Sequence, residues 1–341
     1  MSLSYRDAGV DRDAAAIAKL RMRELVDATR TDAVRAGFGS FAGRLALAEG
    51  EELVVSADGV GTKLEVAVRA GRHDTVGEDL VNHCVNDILA EGAVPLAFLD
   101  YFACGELDPE VVVEVVRGVA RGCRRNGCAL LGGETAEMPG FYRGGVYDLV
   151  GFIVGRLEFP AVAAREVRGG DVLIGLESSG IHTNGFSFAR AVIFGRMGLE
   201  VGDPWPGLPA SVGEVLLRVH RSYLGPLREE CAAGRVRALA HITGGGIPGN
   251  LARVLPGDLD AEVDVSAWRP LPEFSLLAEK SGADPEEMYR TFNMGIGMIA
   301  IVSSDDADGM IGRIRSQGCP AHACGRLVTG AGGVRLSGAD S

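Results

Sequence analysis

Apolar positions follow two periods along the chain, and segments of the two kinds alternate. Short apolar runs between turn residues predict strands at 53–57, 95–102, 147–157, 172–176, 295–302 and 323–328. Apolar residues every three or four positions predict helices at about 13–29, 75–91, 108–125 and 305–317, with another beginning near 187. We therefore expect an α/β fold of the mixed α+β type, without the regular spacing of a dinucleotide-binding fold.

The turn Arg168-Gly-Gly-Asp171 divides this pattern into halves of similar style. A length of 341 residues also suggests about two domains. We therefore expect two mixed α/β domains, at 1–168 and 169–341. With 47% hydrophobic and 23% charged residues, the chain can fill two cores, which excludes disorder as its main state.

The net charge of −12 argues against broad binding to nucleic acids or anionic membranes, since both favour a basic surface. No apolar run approaches the roughly 18 residues of a membrane-spanning helix, and the first residues lack the apolar stretch of a secretory signal. The seven scattered cysteines lack the spacing of a disulfide framework or a paired zinc motif, so we expect reduced, packed thiols. These features predict a cytoplasmic protein that binds neither nucleic acid nor membrane.

Glycine accounts for 49 residues, and many stand in clusters beside a polar or charged residue. Glycine-rich turns let backbone N–H groups approach an anion, although any single cluster also fits an ordinary turn. One cluster, at 36–41, suggests phosphate binding by Gly37, Gly39 and Ser40.

The segment Asp58-Gly-Val-Gly-Thr-Lys63 follows a predicted strand and has the clearest chemical pattern. It predicts a magnesium–nucleotide site in which Asp58 binds the metal and the following loop meets phosphates. The residues that would face phosphates are Gly59, Gly61, Thr62 and Lys63. The spacing is not that of a Walker A motif, and a strand–turn–helix with a capping aspartate is the alternative.

Further acidic residues extend the magnesium hypothesis. Asp87 lies in an otherwise apolar helical pattern, where burial without a cation or partner is costly. Glu134 follows a double glycine and offers a third ligand. His73 and Asp74 are a candidate pair for facing phosphate. For each of these residues an exposed or helix-capping position is the alternative.

Two histidines, His182 and His241, lie beside Ser, Thr and Gly residues suited to anion binding. A histidine there can donate to phosphate or transfer a proton, so both join Asp87 as catalytic candidates. His83, His220 and His322 have no such neighbours in sequence, and we interpret them as structural or surface residues. The chain has no Gly-x-Ser-x-Gly or cysteine–histidine nucleophile motif, so covalent hydrolysis is not predicted.

Taken in order, these motifs resemble one family, the phosphoribosylformylglycinamidine cyclo-ligases, also called aminoimidazole ribonucleotide synthetases. The matching segments are 4–11, 58–63, 72–77, 84–88, 98–101, 132–140, 178–185, 241–246 and 288–298. The resemblance implies that ATP, with Mg²⁺, drives ring closure of formylglycinamidine ribonucleotide to 5-aminoimidazole ribonucleotide. It also implies a homodimer in which strands of the two N-terminal domains form a shared barrel.

In the roles that the resemblance implies, the N-terminal domain binds ATP and forms the dimer, while the C-terminal domain contributes to the substrate site. The substrate would meet Asn184, Thr243, Gly244, Gly245 and Asn293. Mg²⁺ would be held by Asp58, Asp87 and Glu134. Two departures from the family pattern, Ala36 and Asp27-Ala28, fall in segments expected to contact the nucleotide. Thiamine-monophosphate kinase, a relative within the same fold group, and a non-catalytic nucleotide-binding scaffold are the alternatives.

Overall fold

The computed structural model describes residues 7–47 and 50–338, except for the side chains of residues 12 and 13. Residues 4–6 of the first matching segment lie outside this range. The helices are α1 (Arg12–Asp27), α2 (Leu64–Ala70), α3 (Asp74–Ala90), α4 (Pro109–Asn126), α5 (Pro160–Ala164), α6 (Phe186–Arg190), α7 (Val212–Leu216), α8 (Leu224–Ala232), α9 (Gly246–Leu251), α10 (Pro272–Ser281), α11 (Pro285–Thr291) and α12 (Ser304–Ser316). The strands are β1 (Val34–Ala36), β2 (Gly43–Ala46), β3 (Glu52–Gly59), β4 (Ala93–Cys104), β5 (Ala129–Glu137), β6 (Tyr147–Leu157), β7 (Val172–Glu177), β8 (Val236–His241), β9 (Leu259–Asp264), β10 (Ile296–Val302), β11 (Ala321–Thr329) and β12 (Val334–Ser337).

The N-terminal half forms a six-stranded sheet with the order β1-β2-β3-β6-β4-β5. Neighbouring strands are antiparallel, except for the parallel pair β4 and β5. Segment 132–137 is therefore part of an edge strand and does not begin a helix. Gly133 permits this pairing, because a Cβ there would lie 2.2 Å from the carbonyl oxygen of Asp100.

The C-terminal half forms a second six-stranded sheet, with the order β12-β9-β11-β7-β10-β8. Its neighbours are antiparallel, except for the parallel pair β9 and β12. Every residue of β10 is buried, as expected for the continuous apolar run at 295–302. The mixed α/β class with two sheets is thus confirmed. No helix among the described residues is both long enough and apolar enough to cross a membrane.

Helix α3 connects the two halves, because it packs against β3, β4 and β6 on one side and against β8 and α8 on the other. All of its residues from Thr75 to Ala90 are buried. Helix α4 packs closely against the N-terminal turns of α3. A Cβ at Gly77 would lie 2.1 Å from the Val115 carbonyl oxygen, so only glycine fits at this crossing.

The first sheet has two unlike faces. Val54, Phe98 and Ile153 are buried on the face that α3 covers. The opposite face exposes apolar side chains in neighbouring strands, in the register set by the ladder. These are Leu45, Val55, Leu99 and Phe152, each between 38% and 45% exposed. We call this set the outer apolar face.

Candidate active site

Helix α3 presents a line of polar side chains although it is buried on all sides. Its members, at helical spacings of three and four, are Asp79, Asn82, His83, Asn86 and Asp87. Residues with these spacings share one side of a helix. Because buried polar groups require partners, this line identifies where the two halves exchange specific contacts.

Three of these side chains hold segment 218–223 of the C-terminal half by its backbone. Asp79 accepts a hydrogen bond from the backbone N–H of His220 at 2.7 Å, and Asn82 donates to the His220 carbonyl at 2.7 Å. Asn86 donates to the carbonyl of Arg221 at 2.8 Å. The position of the His220 ring is therefore set by α3.

The two carboxylates predicted to hold metal lie beside the same imidazole. Nε2 of His83 is 2.8 Å from Oδ2 of Asp58 and 3.9 Å from Oδ2 of Asp87. Asp87 also meets His241, whose Nδ1 is 2.8 Å from its Oδ1. The structure thus brings together Asp58, Asp87 and His241, three of the predicted site residues.

Hydrogen bonds continue from His241 around to His83. Nε2 of His241 lies 3.1 Å from Nε2 of His220, so one proton occupies this contact. The Thr183 hydroxyl lies 3.4 Å from Nδ1 of His220 and 2.8 Å from Nδ1 of His83. We call this path the histidine relay. Its members, in order, are Asp58, His83, Thr183, His220, His241 and Asp87.

His182 supports the relay from the side and is not one of its members. Its ring stacks on that of His220 with 3.9 Å between centroids, and its Nε2 accepts from the Ser179 N–H at 3.2 Å. Its Nδ1 has no partner among the described residues. The residue is buried and has a backbone φ of 65°, in the left-handed region that non-glycine residues rarely adopt. The catalytic role of His182 stays a prediction.

Burial and neighbouring charges shift the pKa values of the relay imidazoles in opposite directions. Burial lowers the pKa of His83, but the charges of Asp58 and Asp87 and the bond to Asp58 raise it more, to about 9. Burial opposes ionisation of Asp58, yet His83 and the N–H of Gly59 hold its pKa below the usual value. For His220 and His241, burial is the largest effect and lowers the pKa of both.

The structure excludes a surface position for His83 and His220, which are both buried, and a structural role for them stays a prediction. Both lie in the relay, because the folded chain brings them to Asp58 and His241 from distant positions. A sequence signal existed for His83, which lies four residues after Asp79 and four before Asp87 in a predicted apolar helix. For His220 no local pattern was available, since its position depends on contacts with α3.

Lys63 does not face the loop that precedes it, and its prediction as a phosphate contact needs correction. The side chain is fully buried, and its ammonium lies 2.7 Å from Oδ2 of Asp79. It also donates to the Arg218 carbonyl at 2.8 Å. Burial lowers the pKa of Lys63, an effect that the charge of Asp79 opposes. This lysine therefore joins the two halves.

His73 and Asp74 lie at the far end of α3 from Asp87, a separation of roughly 20 Å along the helix. Nδ1 of His73 is 3.0 Å from the hydroxyl of Tyr147, and Asp74 accepts from Arg121 at 3.0 Å. Both side chains thus have structural partners, and the structure does not bring them to the relay.

Glu134 is exposed on β5, three strands away from Asp58 in the same sheet. Strands about 4.8 Å apart place the two residues roughly 14 Å from each other. One chain therefore cannot bind a single ion with both residues. The double glycine before Glu134 suggested a turn, but it lies within a strand.

An open cleft of about 690 Å³ lies beside Asp87, between the halves. Three sets of residues line it: Gly37, Gly39 and Ser40 from the first glycine cluster, Gly244, Gly249 and Asn250 from the second half, and Ser56 from β3. The Ser56 hydroxyl lies 3.5 Å from Oδ2 of Asp87 and so links the cleft to the relay.

Arg253 lines this cleft together with Lys19, and no sequence motif pointed to either cation. Its guanidinium lies 3.8 Å from the ring centroid of Phe41 and donates to the carbonyls of Gly39 at 3.1 Å and Ser40 at 2.6 Å. It also donates to Asn250 at 3.2 Å. A cation beside glycine-rich backbone is suited to a phosphate group.

The other predicted residues divide into those near the cleft and those with internal roles. Thr243, Gly244 and Gly245 lead from His241 into α9, and Asn250 Nδ2 donates to the Thr243 carbonyl at 3.3 Å. Asn184 lies against this turn, since a Cβ at Gly244 would be 3.1 Å from its Oδ1.

Asn293 is not available to substrate, contrary to prediction. It is buried, it donates to the Gly180 carbonyl at 3.0 Å, and it accepts from Ser178 at 3.1 Å and the Gly295 N–H at 2.8 Å. It therefore shapes the turn before His182.

The loop after Asp58 also differs from a simple phosphate cradle. Gly61 has a φ of 66°, which favours glycine, and the hydroxyl of Thr62 lies 3.0 Å from that of Ser187. A Cβ at Gly59 would lie 3.4 Å from the Leu149 carbonyl oxygen. Phosphate binding by Gly59, Gly61 and Thr62 stays a prediction.

Asp58 and Asp87 fit a magnesium ion without Glu134. Mg²⁺ is commonly held by one or two carboxylates together with waters and substrate phosphates. Both carboxylates approach His83, and Asp58 is 39% exposed, so an ion could reach them from solvent.

Comparison with known proteins identifies the family. Two family models match: AIR synthase related protein, N-terminal domain, at residues 39–157, and AIR synthase related protein, C-terminal domain, at 168–337. The chain is 48% identical over 335 residues to the phosphoribosylformylglycinamidine cyclo-ligase of Sorangium cellulosum (strain So ce56), covering 96% of each chain. It is 43% identical over 339 residues to that of Alkaliphilus metalliredigens (strain QYMF), covering 98% of each. The chain belongs to the phosphoribosylformylglycinamidine cyclo-ligase family.

The resemblance seen in the motifs is thus confirmed. Membership favours a ligase of purine biosynthesis over the thiamine-monophosphate kinase alternative. A solved structure of AaThiL complexed with AMPPCP and TMP shares the fold, with a TM-score of 0.64, 18% identity, and coverage of 92% of this chain and 90% of that chain. The shared fold extends over both halves.

Proposed function

We propose that this chain closes the imidazole ring of 5-aminoimidazole ribonucleotide from formylglycinamidine ribonucleotide, using ATP and Mg²⁺ in the cytoplasm. The observation that carries the proposal is the cleft, where glycine-rich backbone and Arg253 lie next to Asp87 and the histidine relay. Phosphoryl transfer depends mainly on positioning and charge neutralisation, and this combination offers both.

In the proposed reaction, the formyl amide oxygen takes the γ-phosphoryl group of ATP and ADP leaves. The amidine nitrogen then forms the new C–N bond, the C–O bond breaks, and phosphate departs with release of one proton. When bound, Mg²⁺ neutralises charge on the phosphates. Asp58 and Asp87 would hold it, while the loop with Gly37, Gly39 and Ser40 would bind a phosphate group together with Arg253.

The relay gives the released proton a path. It runs from the half-exposed Asp58 to Asp87 beside the cleft, through three imidazoles and one hydroxyl. Successive polar atoms along it are 2.8 to 3.4 Å apart. The ribonucleotide is proposed to bind to the turn that follows His241 and to the asparagine packed against it. These residues are Thr243, Gly244, Gly245 and Asn184.

We further propose a homodimer formed through the outer apolar face of the first sheet. Its exposed leucine, valine and phenylalanine side chains lie in neighbouring strands and form a continuous surface. Such patches on soluble proteins mark contact surfaces. A second copy paired there would complete a barrel of strands, and Glu134 on the edge strand would contribute to a metal site only across that interface.

A phosphate-release assay tests the reaction. We expect release that requires both ATP and formylglycinamidine ribonucleotide and is absent with thiamine monophosphate. Asp87→Asn and His241→Gln should each lose about 100-fold or more in kcat/KM, the range of acid–base and charge effects. His322→Gln is the matched control, since His322 pairs with Glu177 at 2.6 Å and is not part of the relay. No release with or without formylglycinamidine ribonucleotide would instead favour a non-catalytic scaffold.

A further inference from the structure

The relay contains a donor set unlike that of a magnesium site. One ligand atom from each of His83, Asp87 and His241 lies within 4.8 Å of the other two, and all three residues are buried. The donors come from α3 and from the end of β8, so the packing of the two halves creates the cluster. Imidazole is a borderline ligand that suits zinc, cobalt or nickel and offers little to Mg²⁺, while a carboxylate binds ions of either class.

We propose that His83, Asp87 and His241 form a binding site for one transition-metal dication of the zinc class. The ion replaces the hydrogen bond between His241 and Asp87 and that between His83 and Asp58. Asp58 Oδ2, which lies 2.8 Å from Nε2 of His83, or a water completes a four-coordinate shell. The half-exposed Asp58 side chain provides the entry path. Metal binding at this site does not depend on the cyclo-ligase reaction. The site includes Asp87, which is also proposed to hold Mg²⁺.

Outer contacts already orient two of the three ligands. The Thr183 hydroxyl meets Nδ1 of His83, and Nε2 of His220 meets Nε2 of His241. Each imidazole thus has its second nitrogen fixed. Nδ1 of His241 is directed to Asp87 at 2.8 Å, and Nε2 of His83 lies between Asp58 at 2.8 Å and Asp87 at 3.9 Å. Such contacts on the far nitrogen are typical of histidines that bind metal.

The test is a Co²⁺ titration of the full-length, tag-free protein after treatment with a chelator. We expect one equivalent to bind with the strong visible absorption of four-coordinate Co²⁺, and excess Mg²⁺ should not remove it. His83→Gln and His241→Gln should each weaken binding by at least about tenfold, since even the loss of an outer contact costs that much. His322→Gln should bind as the parent does.

Thermal unfolding of each variant shows whether it has folded. X-ray absorption of the parent protein gives an independent readout that needs no variant, and we expect a first shell containing two imidazoles. The proposal is overturned if Co²⁺ is weakly bound and six-coordinate, if imidazole is absent from its shell, or if both folded variants bind it unchanged. It is also overturned by sulfur-to-cobalt absorption, because the seven buried free thiols would then be the ligands.

Discussion

Each six-stranded sheet contains a run of three antiparallel strands, and the two runs differ in how completely their middle strand is buried. The trio is β3-β6-β4 in the first and β7-β10-β8 in the second. In the second sheet the middle strand, β10, is entirely buried. In the first, the middle strand β6 leaves Phe152 45% exposed on the outer apolar face. The middle strand of the second run is therefore covered within one chain, whereas that of the first carries an exposed apolar side chain.

The site draws different chemistry from each half. The first half supplies Asp58, Asp87 and His83, and the second supplies His220 and His241. Neither half alone contains the relay. The candidate site is thus formed where the two halves meet, while the outer apolar face of the first sheet lies exposed.

The largest effect should come from breaking the buried ion pair of Lys63 and Asp79 in the first half, whose lysine also donates to the Arg218 carbonyl of the second half. In Lys63→Met, Asp79 stays buried without its cation, and we expect a loss of about 3 to 5 kcal/mol in the free energy of unfolding. Denaturant unfolding measures it. Lys280→Met is the control, because Lys280 is at the surface beside Glu279. An unchanged transition midpoint in Lys63→Met would show that the halves are held together in another way.

A charge on the outer apolar face should affect assembly without unfolding the chain. Phe152→Glu removes a contact worth about 1.5 to 3 kcal/mol when a phenylalanine is fully buried. We expect the dimer dissociation constant to rise about tenfold or more in sedimentation equilibrium. Val113→Glu, a similar change at an exposed position on α4, should leave it unchanged. Equal behaviour of the two variants would contradict the assignment of this face as the interface.

The smallest effect is an acid-dependent loss of stability in the second half. Burial opposes ionisation of Glu230, but hydrogen bonds from Arg313 and Arg235 outweigh it and lower its pKa. A lowered pKa adds stability above the ordinary value of 4.5, and this contribution is lost as pH falls through the folded value. In Glu230→Gln, the unfolding free energy should lose about 1 kcal/mol near neutral pH and depend less on pH below 4.5. Identical pH profiles would remove Glu230 as the cause.

Sequence patterns predicted the elements better than the contacts between them. The helix expected at 75–91 is observed as Asp74–Ala90, and the strand expected at 147–157 is β6 itself. The periodicity of apolar residues is a local property, so helices and strands can be predicted from it without knowledge of the fold. Segment 132–137 was missed as a strand because its glycines suggest a turn, and only pairing with β4 makes it extended.

The candidate site was predicted in part for the same reason. Asp58, Asp87 and His241 were identified because each lies in a distinctive local pattern. Lys63 lies in a phosphate-binding pattern, but its side chain forms a buried ion pair with Asp79. That aspartate lies 16 residues further along the same half, outside the motif. Arg253 and His220 depend on contacts across the halves, which no short motif encodes.

The line of polar side chains on α3 also affects how the protein is made. Asp79 and the N–H of His220 are 141 positions apart in sequence. A ribosome that adds about 5 to 20 residues per second needs roughly 7 to 30 seconds to synthesise that stretch. Until then Asp79 and Asn82 lack the backbone groups of His220, although Lys63 and Asn126 of the first half already contact them. The last hydrogen bonds of this line therefore form only after the second half has emerged.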